Sequence, residues 1–305
     1  MSRKFRRPVH GILLLDKPQG LSSNQALQAV RRLYQAAKAG HTGSLDPMAT
    51  GLLPLCFGEA TKVAGLLLGS RKAYVAECKL GETTRTDDAE GEVLTRREVP
   101  ALDADAIEHA LQRFVGTISQ VPPAFSALKR DGVPMYVRAR RGEEVVMSAR
   151  EVQIHDITLQ SWEKPFLRLH VTCGSGTYIR SLARDLGEVL GCGAHLTALR
   201  REWVDPFTQP VMHTLDVLEN MTLPQLDDLL LPVDAGLEAV PPVHLDAAAS
   251  QALAHGQNVP MDLEEGRYRA YTQGGHLLAL AEMRRDGCLH VLRGFNLSEN
   301  GSKQA

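Results

Sequence analysis

The hydrophobic positions of this chain fall into short segments whose spacing alternates between that of strands and that of helices. In residues 73–80, Tyr74, Ala76, Cys78 and Leu80 recur at every second position and share one face of a strand. Apolar runs or similar alternation predict further strands at 10–15, 52–57, 152–159, 166–173 and 195–204.

Helical spacing governs most of the segments between these strands. Helices are predicted from the start of an apolar stripe to its end at about residues 23–37, 59–68, 104–115, 135–141 and 177–190. Ser22 or Ser23 can cap the first helix, and Asp103 can cap the third. Residues 211–237 look helical and acidic. The order of elements predicts an α+β domain with a mixed, mostly antiparallel sheet.

A second, smaller unit is predicted after Pro241 and Pro242, so that residues 1–245 form one domain and residues 246–305 another. Asp246 can cap a short helix in this unit. Three strands are expected near residues 267–272, 276–283 and 288–295, with Asp286-Gly287 as the turn between the last two. The pattern is that of a compact β unit.

The composition describes an ordinary folded protein. A chain of 305 residues with 44% hydrophobic content can bury a sizeable core. The apolar runs are far shorter than the ~20 residues needed to cross a bilayer, and the basic start of the chain lacks the features of a signal peptide. We therefore expect a cytoplasmic protein without membrane contact, and a monomer, since nothing indicates a protein partner.

The cysteines and glycines argue against a metal or cofactor. Five cysteines are scattered along the chain without a Cys-x-x-Cys pair, which disfavours both a disulfide framework and a zinc site. Neither a Gly-rich phosphate loop nor a dinucleotide fingerprint is present in the sequence. We expect no metal and no cofactor.

Charge is distributed unevenly although the net charge is only −2. Basic residues concentrate in residues 1–7 and 129–141, whereas residues 203–266 contain no Lys or Arg. One face of the molecule could therefore attract phosphates. An ordinary solvated surface would account for the same runs.

Residues 40–51, with the sequence GHTGSLDPMATG, form the most distinctive stretch. Its glycines, proline and hydroxyl side chains suit neither a helix nor a strand, so a structured loop is predicted between packed elements. Asp46 stands before Pro47, which restricts its backbone to extended geometry. The loop is either a catalytic or binding loop or a tight turn whose polar side chains satisfy backbone amides.

Three motifs carry a resemblance to the TruB family of tRNA pseudouridine synthases. The first is LLLDKPQGLSS at residues 13–23, the second is HTGSLDPMATG at residues 41–51, and the third is CGSGTYIR at residues 173–180 followed by DLG at 185–187. Their order and separations are similar to those of the family. Ser175 departs from the pattern, because many relatives carry lysine there.

The resemblance implies an isomerase that converts uridine 55 in the T arm of tRNA to pseudouridine. It implies Asp46 as the catalytic carboxylate and Arg180 as its partner, which would hold it ionised through a bidentate pair. Tyr74 would stack on the target base and relay a proton, and Leu199 would line the pocket. Each of these three residues also has a structural explanation. Arg180 could be a surface arginine on an amphipathic helix, and Tyr74 and Leu199 could be core residues.

Further residues are assigned to RNA contact by the same resemblance. His41 would fill the space left by the flipped nucleotide, Lys17 and Lys129 would contact phosphates together with the arginines of 138–141, and Tyr178 would support the pocket. Residues 246–305 would form a β-barrel of the PUA type, an RNA-binding module.

Two other functions fit the same residues. An RNA chaperone that opens and refolds tRNA would use the same loop and basic patches, and it can coexist with the enzyme. A guide-RNA-dependent synthase of archaeal or eukaryotic type is disfavoured because the sequence has no basic low-complexity extensions.

Overall fold

The structure is a computed structural model that describes residues 6–67, 71–126, 128–130, 132–141, 143 and 147–297. The first strands are β1 (Gly11–Lys17), β2 (Ala39–His41), β3 (Thr50–Phe57), β4 (Arg71–Leu80), β5 (Glu82–Thr84), β6 (Val93–Arg96), β7 (Gly116–Gln120), β8 (Lys129–Arg130) and β9 (Val133–Pro134). They are followed by β10 (Arg150–Glu163), β11 (Phe166–Gly174), β12 (Ala194–Val204), β13 (His213–Thr214), β14 (Pro242–Leu245), β15 (Val259–Pro260), β16 (Gly266–Thr272), β17 (Leu277–Met283) and β18 (Cys288–Gly294). The helices are α1 (Ser23–Leu33), α2 (Ala104–Gln112), α3 (Met135–Arg140), α4 (Ile179–Val189), α5 (Leu215–Glu219), α6 (Leu223–Asp228) and α7 (Ala247–Ala254).

Among the described residues, nine strands form one large sheet. Its order is β13-β1-β3-β12-β4-β11-β10-β7, and β2 pairs with β3. Pairing is parallel between β1 and β13 and between β12 and β3, and it is antiparallel between the other neighbours. The α+β class with a mixed, mostly antiparallel sheet is confirmed.

Both faces of the central strands are covered, which explains the continuous apolar run in β3. Leu53 and Leu55 point into the main core, whereas Leu52 and Cys56 point into a second core on the opposite face. Alternating side chains of one strand thus enter different cores. Residues 42–49, which connect β2 to β3 and are called the signature loop below, are consequently attached to a buried strand.

Helix α4 packs closely on the sheet beside the candidate site. Its buried stripe includes Ile179, Leu182 and Leu186, the spacing expected of a helix that covers a sheet. A Cβ atom at Gly187 would lie 2.2 Å from the amide nitrogen of Ala194 in β12, so only glycine permits this approach. The helix therefore holds its first turn at a fixed position over β12 and β4.

Several predicted helices are shorter than expected. Ser22 caps α1 in a capping box, but the helix ends at Leu33 because Gln35 has a φ of 51°. In the segment 59–68 the described residues form a 3₁₀ turn, Gly58–Lys62. The segment 211–237 contains only the short helices α5 and α6. There Pro232 cannot donate a helical hydrogen bond, which limits a longer helix.

The C-terminal strands form a separate curled sheet, a half-barrel. Its five strands among the described residues have the order β14-β16-β17-β18-β15, and Asp246 caps α7 as predicted. Leu280 and Phe295 of this unit join the second core on the outer face of β1 and β3. The small unit therefore packs on the side of the large sheet opposite the main core.

Candidate active site

Hydrogen bonds anchor the part of the signature loop that precedes Asp46. The hydroxyl of Ser23, at the start of α1, donates to the carbonyl of Leu45 at 3.0 Å and accepts from its amide at 2.7 Å. The amide of Thr42 donates to the carbonyl of Pro54 in β3. These bonds fix the backbone immediately before Asp46. The loop is therefore structured, and it presents its carboxylate at a defined position.

Arg180 lies next to that carboxylate. Its Nε atom is 2.9 Å from Oδ2 of Asp46, and its side chain is only 4% exposed, against 39% for Asp46. The Nε–H is not aligned with the oxygen as in a hydrogen bond, so the contact is an ion pair. The predicted bidentate pair is wrong, because both terminal nitrogens of the guanidinium bind elsewhere.

The other contacts of Arg180 join two further segments to the site. Nη1 donates to the carbonyl of Thr86 at 3.1 Å and lies 3.4 Å from Oδ2 of Asp88. Nη2 donates to the carbonyl of Phe125 at 3.0 Å. A single guanidinium on α4 thus connects the signature loop with residues 84–91 and residues 121–126. Asp46 is therefore paired with a guanidinium whose position is fixed by contacts with three other residues.

Burial raises the pKa of the Asp46 carboxyl above its ordinary value, and the charge of Arg180 partly offsets this effect. Asp88 raises the pKa further by repulsion, while Lys17 lowers it. The pairing with Arg180 would by itself lower the pKa of Asp46, but the pKa is raised because the effect of burial is larger. Because its side chain is partly exposed, Asp46 is the member of the cluster that a substrate can contact.

Asp88 is a site residue that sequence reasoning missed. Its side chain is buried, and it accepts hydrogen bonds from the hydroxyl of Thr86 and from the amide of Glu90 at 3.1 Å. From their polar composition alone, residues 81–91 would be expected to form a mobile loop. Instead, the amide of Leu196 in β12 donates to Asp87, and the amide of Ala89 donates back to Leu196. The Thr- and Asp-rich composition was the only signal for this ordered turn.

Tyr74 and Leu199 lie on one face of the sheet. Leu199 of β12 is opposite Ala76 of β4, and Arg201 is opposite Tyr74. Tyr74 is 8% exposed and Leu199 is 7% exposed. Burial raises the pKa of the Tyr74 phenol, and nearby Arg201 partly counteracts this. The phenol is thus neutral at neutral pH and lies within the electrostatic reach of Asp46.

His41 lies at the end of β2, at the entrance to the signature loop. Its Nδ1 atom is buried without a hydrogen-bond partner among the described residues. Burial and the charge of Arg201 lower its pKa, so that the ring is neutral at neutral pH. A neutral, half-buried imidazole can stack on a base.

Tyr178 immediately precedes α4. Its backbone exchanges two hydrogen bonds with the side chain of Gln120, at 2.8 and 3.1 Å. The guanidinium of Arg150 lies 4.9 Å from the centre of its ring, a cation–π distance. Tyr178 therefore fixes the start of the helix that carries Arg180.

Lys17 does not lie where it could contact a phosphate, and this prediction is wrong. Its side chain is fully buried, and Nζ donates to the carbonyls of Pro18, Leu21 and Pro47 at 2.8, 2.6 and 3.3 Å. Burial lowers its pKa to about 8, so it remains mostly protonated at neutral pH. The amine holds the first motif against the signature loop. For Lys129, in β8, the side chain lies outside the part that the structure describes.

Replacing Lys17 with methionine is expected to leave the salt dependence of RNA binding unchanged. A lost phosphate contact would reduce the slope of log affinity against log salt by about 1. The loss of three carbonyl contacts should instead destabilise the fold by about 1–3 kcal/mol. Titrations of a tRNA at several salt concentrations, together with urea unfolding, test both statements. A smaller salt slope with unchanged stability would contradict the assignment.

Within the described residues, no helix is long and apolar enough to cross a bilayer. Nor does any group of three or more His, Cys, Asp or Glu side chains in that part of the chain have the arrangement of a metal site.

Solved structures share this architecture. The protein is similar to a chain of a Cbf5-Nop10-Gar1 complex, with 25% identity and a TM-score of 0.68 over 93% of this chain and 84% of that one. It is also similar to a chain of an archaeal box H/ACA Nop10-Cbf5 complex, with a TM-score of 0.68, 23% identity and coverage of 100% and 95%. The fold is that of the pseudouridine synthases.

Sequence comparisons identify the family within that class. Residues 31–179 match a family model described as the N-terminal domain of the TruB family pseudouridylate synthases. Residues 180–238 and 241–295 match two models of TruB C-terminal domains. The chain belongs to the TruB family, and it is an isomerase.

Curated relatives are similar over nearly the full length. A tRNA pseudouridine synthase B of Xanthomonas campestris is 57% identical over 95% of both chains. The enzyme of the same name from Xylella fastidiosa is 54% identical over 97% of this chain and 99% of its own. The one from Cupriavidus metallidurans is 51% identical over 94% and 95%, respectively.

Proposed function

We propose that the protein isomerises uridine 55 in the T arm of tRNA, with Asp46 as its essential carboxylate. The observation that carries the proposal is the pairing of Asp46 with the buried Arg180 at 2.9 Å. The Asp46 carboxylate is at the same time the exposed member of its cluster. An ionised group is thus held at the edge of a dry site, beside the face that bears Tyr74 and Leu199.

The reaction rearranges the substrate without any other reactant. The bond between N1 and C1′ of the nucleotide breaks, the uracil turns, and C5 forms the new bond to C1′. C5 then loses its proton and N1 gains one, either by direct transfer or by exchange with solvent. Asp46 can act by attacking C1′, by adding to the base, or by removing the C2′ proton. The three routes share one requirement, an ionised carboxylate close to the ribose and the base.

The neighbours of Asp46 have distinct parts in this proposal. Arg180 keeps the carboxylate ionised against the cost of burial. Tyr74 stacks on the target base and relays a proton, and its neutral phenol suits both tasks. Leu199 and Tyr178 complete the pocket that retains the detached uracil.

The uridine must leave its stack to reach Asp46, which costs a few kcal/mol. His41 occupies the vacated position and stacks on the neighbouring base, in keeping with its neutral ring. The proposed phosphate contacts are Lys129 and the arginines of 138–141. Residues 246–305 are proposed to bind RNA as a PUA-like unit that begins close to β14.

We propose that the enzyme works as a cytoplasmic monomer, without a protein partner or guide RNA. Its structural neighbours come from complexes with the proteins Nop10 and Gar1, which belong to those assemblies. Action on tRNA is supported by the near full-length similarity to proteins named tRNA pseudouridine synthase B. The proposed T-arm specificity rests on the resemblance of the three sequence motifs to those of the TruB family.

Tritium release from an RNA labelled at uridine C5 tests the position of modification. Wild-type protein should release tritium from a T-arm stem-loop, because C5 must lose its hydrogen on becoming the glycosidic carbon. A matched stem-loop with cytidine in place of the target uridine, and with its other uridines labelled, should release none.

Equal release from both RNAs would refute the specificity for position 55. Tight binding of the stem-loop without any release would refute the enzymatic proposal and leave the RNA chaperone as the function. Release that depends on an added guide RNA would contradict independent action.

A further inference from the structure

Arg201 is a second buried arginine of the site, and the proposed function assigns it no part. Its side chain is 1% exposed. It lies in β12 two residues after Leu199, and it is paired with Tyr74 across the sheet. Residues opposite each other on neighbouring strands present their side chains on the same face. Arg201 therefore lies beneath the proposed pocket.

Two hydrogen bonds tie this arginine to the signature loop and to the strand that follows it. Nε donates to the carbonyl of Leu52 at 2.7 Å, and Nη2 donates to the carbonyl of Gly43 at 3.0 Å. Gly43 has a φ of 67°, a conformation that favours glycine. The loop therefore turns at Gly43 around the guanidinium, three residues before Asp46.

The backbone of Arg201 restricts the other end of the loop. A Cβ atom at Gly51 would lie 2.1 Å from the carbonyl oxygen of Arg201. Gly51 also has a φ of 97°. Side chain and main chain of one residue thus determine where the loop leaves β2 and where it enters β3.

The charge of Arg201 acts on the groups around it. It lowers the pKa of Tyr74, His41 and Lys72, each of which is also affected by burial. The hydrogen bonds described for its guanidinium go to carbonyl oxygens, which are neutral and do not cancel its formal charge. Because Arg201 and Tyr74 are opposite each other on neighbouring strands, this cation lies on the same face of the sheet as the phenol and can interact with its oxygen.

We propose that Arg201 is a positioning residue that holds the Tyr74 hydroxyl and the Asp46 loop in one frame. The inference rests on the proposed function, because it gives Tyr74 and Asp46 their parts. Arg201 touches no reacting atom. It acts by setting the separation between the base-stacking phenol and the carboxylate, a geometry on which the rate depends steeply.

Arg201→Lys tests this inference in two backgrounds. The lysine retains the positive charge, but its single amine cannot replace both the Nε donation to Leu52 and the Nη2 donation to Gly43. The single-turnover rate should fall on the order of 100-fold in the wild-type background, with RNA affinity changed less than about twofold. In the Tyr74→Phe background the same substitution should lower the rate less than about fivefold, because the partner is already absent.

Arg200→Lys is the matched control. Arg200 is the preceding residue of β12 and pairs with Asp16 at 2.7 and 3.0 Å, so it projects from the opposite face. It should not show a rate effect that depends on Tyr74. Equal losses for Arg201→Lys in both backgrounds, or no loss in either, would overturn the inference.

A spectroscopic measurement separates this inference from the proposed function. The six tyrosines can be replaced by 3-fluorotyrosine, and the ¹⁹F signal of Tyr74 is assigned by its absence in Tyr74→Phe. Arg201→Lys should shift this signal in the free protein, whereas Arg200→Lys should not. Without tritium release by the wild type the proposed function fails, yet the shift still reports the contact.

Poor folding of Arg201→Lys would not remove the test. The Nε–H of a buried arginine gives an observable ¹⁵N signal, and Tyr74→Phe should shift the signal of Arg201 in an otherwise intact protein. An unchanged signal would overturn the proposed contact.

Discussion

We expect Asp46→Asn to abolish tritium release from a T-arm stem-loop while the variant still folds and binds the RNA. The substitution keeps the shape of the side chain and removes its charge, so the proposed reaction loses its essential group. Loss of such a group lowers turnover by at least about 10⁴-fold. Single-turnover tritium release, with RNA affinity measured in parallel, checks both halves of this prediction.

The pH dependence of the wild type follows from the raised pKa of Asp46. The reaction needs the ionised form, so the rate falls as the pH drops through the folded-state pKa. Because burial raises that pKa, the fall begins at a higher pH than for an ordinary aspartate, whose pKa is ~3.9. A rate that stays constant down to this ordinary value would contradict the environment described for Asp46.

The same pKa shift predicts a gain in stability for Asp46→Asn. A carboxyl whose folded-state pKa is raised contributes favourably below its unfolded pKa and loses this contribution as the pH rises through the folded-state value. At neutral pH the wild type therefore bears a cost that the neutral variant avoids. Its Tm should exceed that of the wild type at pH 7 and approach it near pH 3.

Asp105→Asn is the chemical control, because Asp105 is exposed in the first turn of α2. It should leave tritium release and its pH profile unchanged. Wild-type release by Asp46→Asn would refute the central assignment.

Arg180→Met should damage both stability and activity. The substitution leaves the Asp46 and Asp88 carboxylates without their shared cation, and it leaves the carbonyls of Thr86 and Phe125 without their donor. Breaking a buried ion pair in this way costs about 3–5 kcal/mol. Urea unfolding should register that loss, and tritium release should fall by about 10³-fold or more.

Two further variants separate charge from geometry. Arg180→Lys should recover part of the stability, because the cation returns, but its amine cannot reach four acceptors and the rate should stay low. Combining Arg180→Met with Asp88→Asn should recover stability without activity, because one uncompensated carboxylate is removed. Full activity of Arg180→Lys would show that the charge alone suffices.

Arg184→Met provides the control on the same helix. Arg184 pairs with Asp87 and Asp185 at 2.9 Å and makes no recorded contact with Asp46. Its removal should affect stability less than Arg180→Met does, and it should leave the turnover of bound RNA close to that of the wild type.

The sequence predicted those parts of the site that depend on local chemistry. The loop was predicted at 40–51 because glycine, proline and hydroxyl residues disfavour helix and strand. In the structure it comprises residues 42–49, since 40–41 belong to β2 and 50–51 to β3. Arg180 lies off the line of Ile179, Leu182 and Leu186 in α4, a separation that helical spacing makes readable from the sequence. The common face of Tyr74 and Ala76 followed from strand alternation.

The remaining features depend on contacts between distant segments. A lysine in a motif is a common phosphate ligand, and the sequence offered no reason to exclude Lys17. However, β1 lies inside the sheet, and the Lys17 amine therefore donates to the carbonyls of Leu21 and Pro47. Asp88 looked like part of a solvated loop until pairing with β12 and Arg180 enclosed it. No local pattern carries such information, since register and strand order decide it.

The joining of distant segments by Arg180 has a consequence for protein synthesis. Asp46 emerges from the ribosome 134 residues before Arg180, a delay of roughly 7–27 s at about 5–20 residues per second. Until the codons of α4 and β12 have been translated, the nascent chain contains the signature loop but neither Arg180, which pairs with Asp46, nor Arg201, which binds the loop backbone. We therefore expect the site to be completed only late in synthesis, and a chain truncated before Arg201 to be inactive toward tRNA.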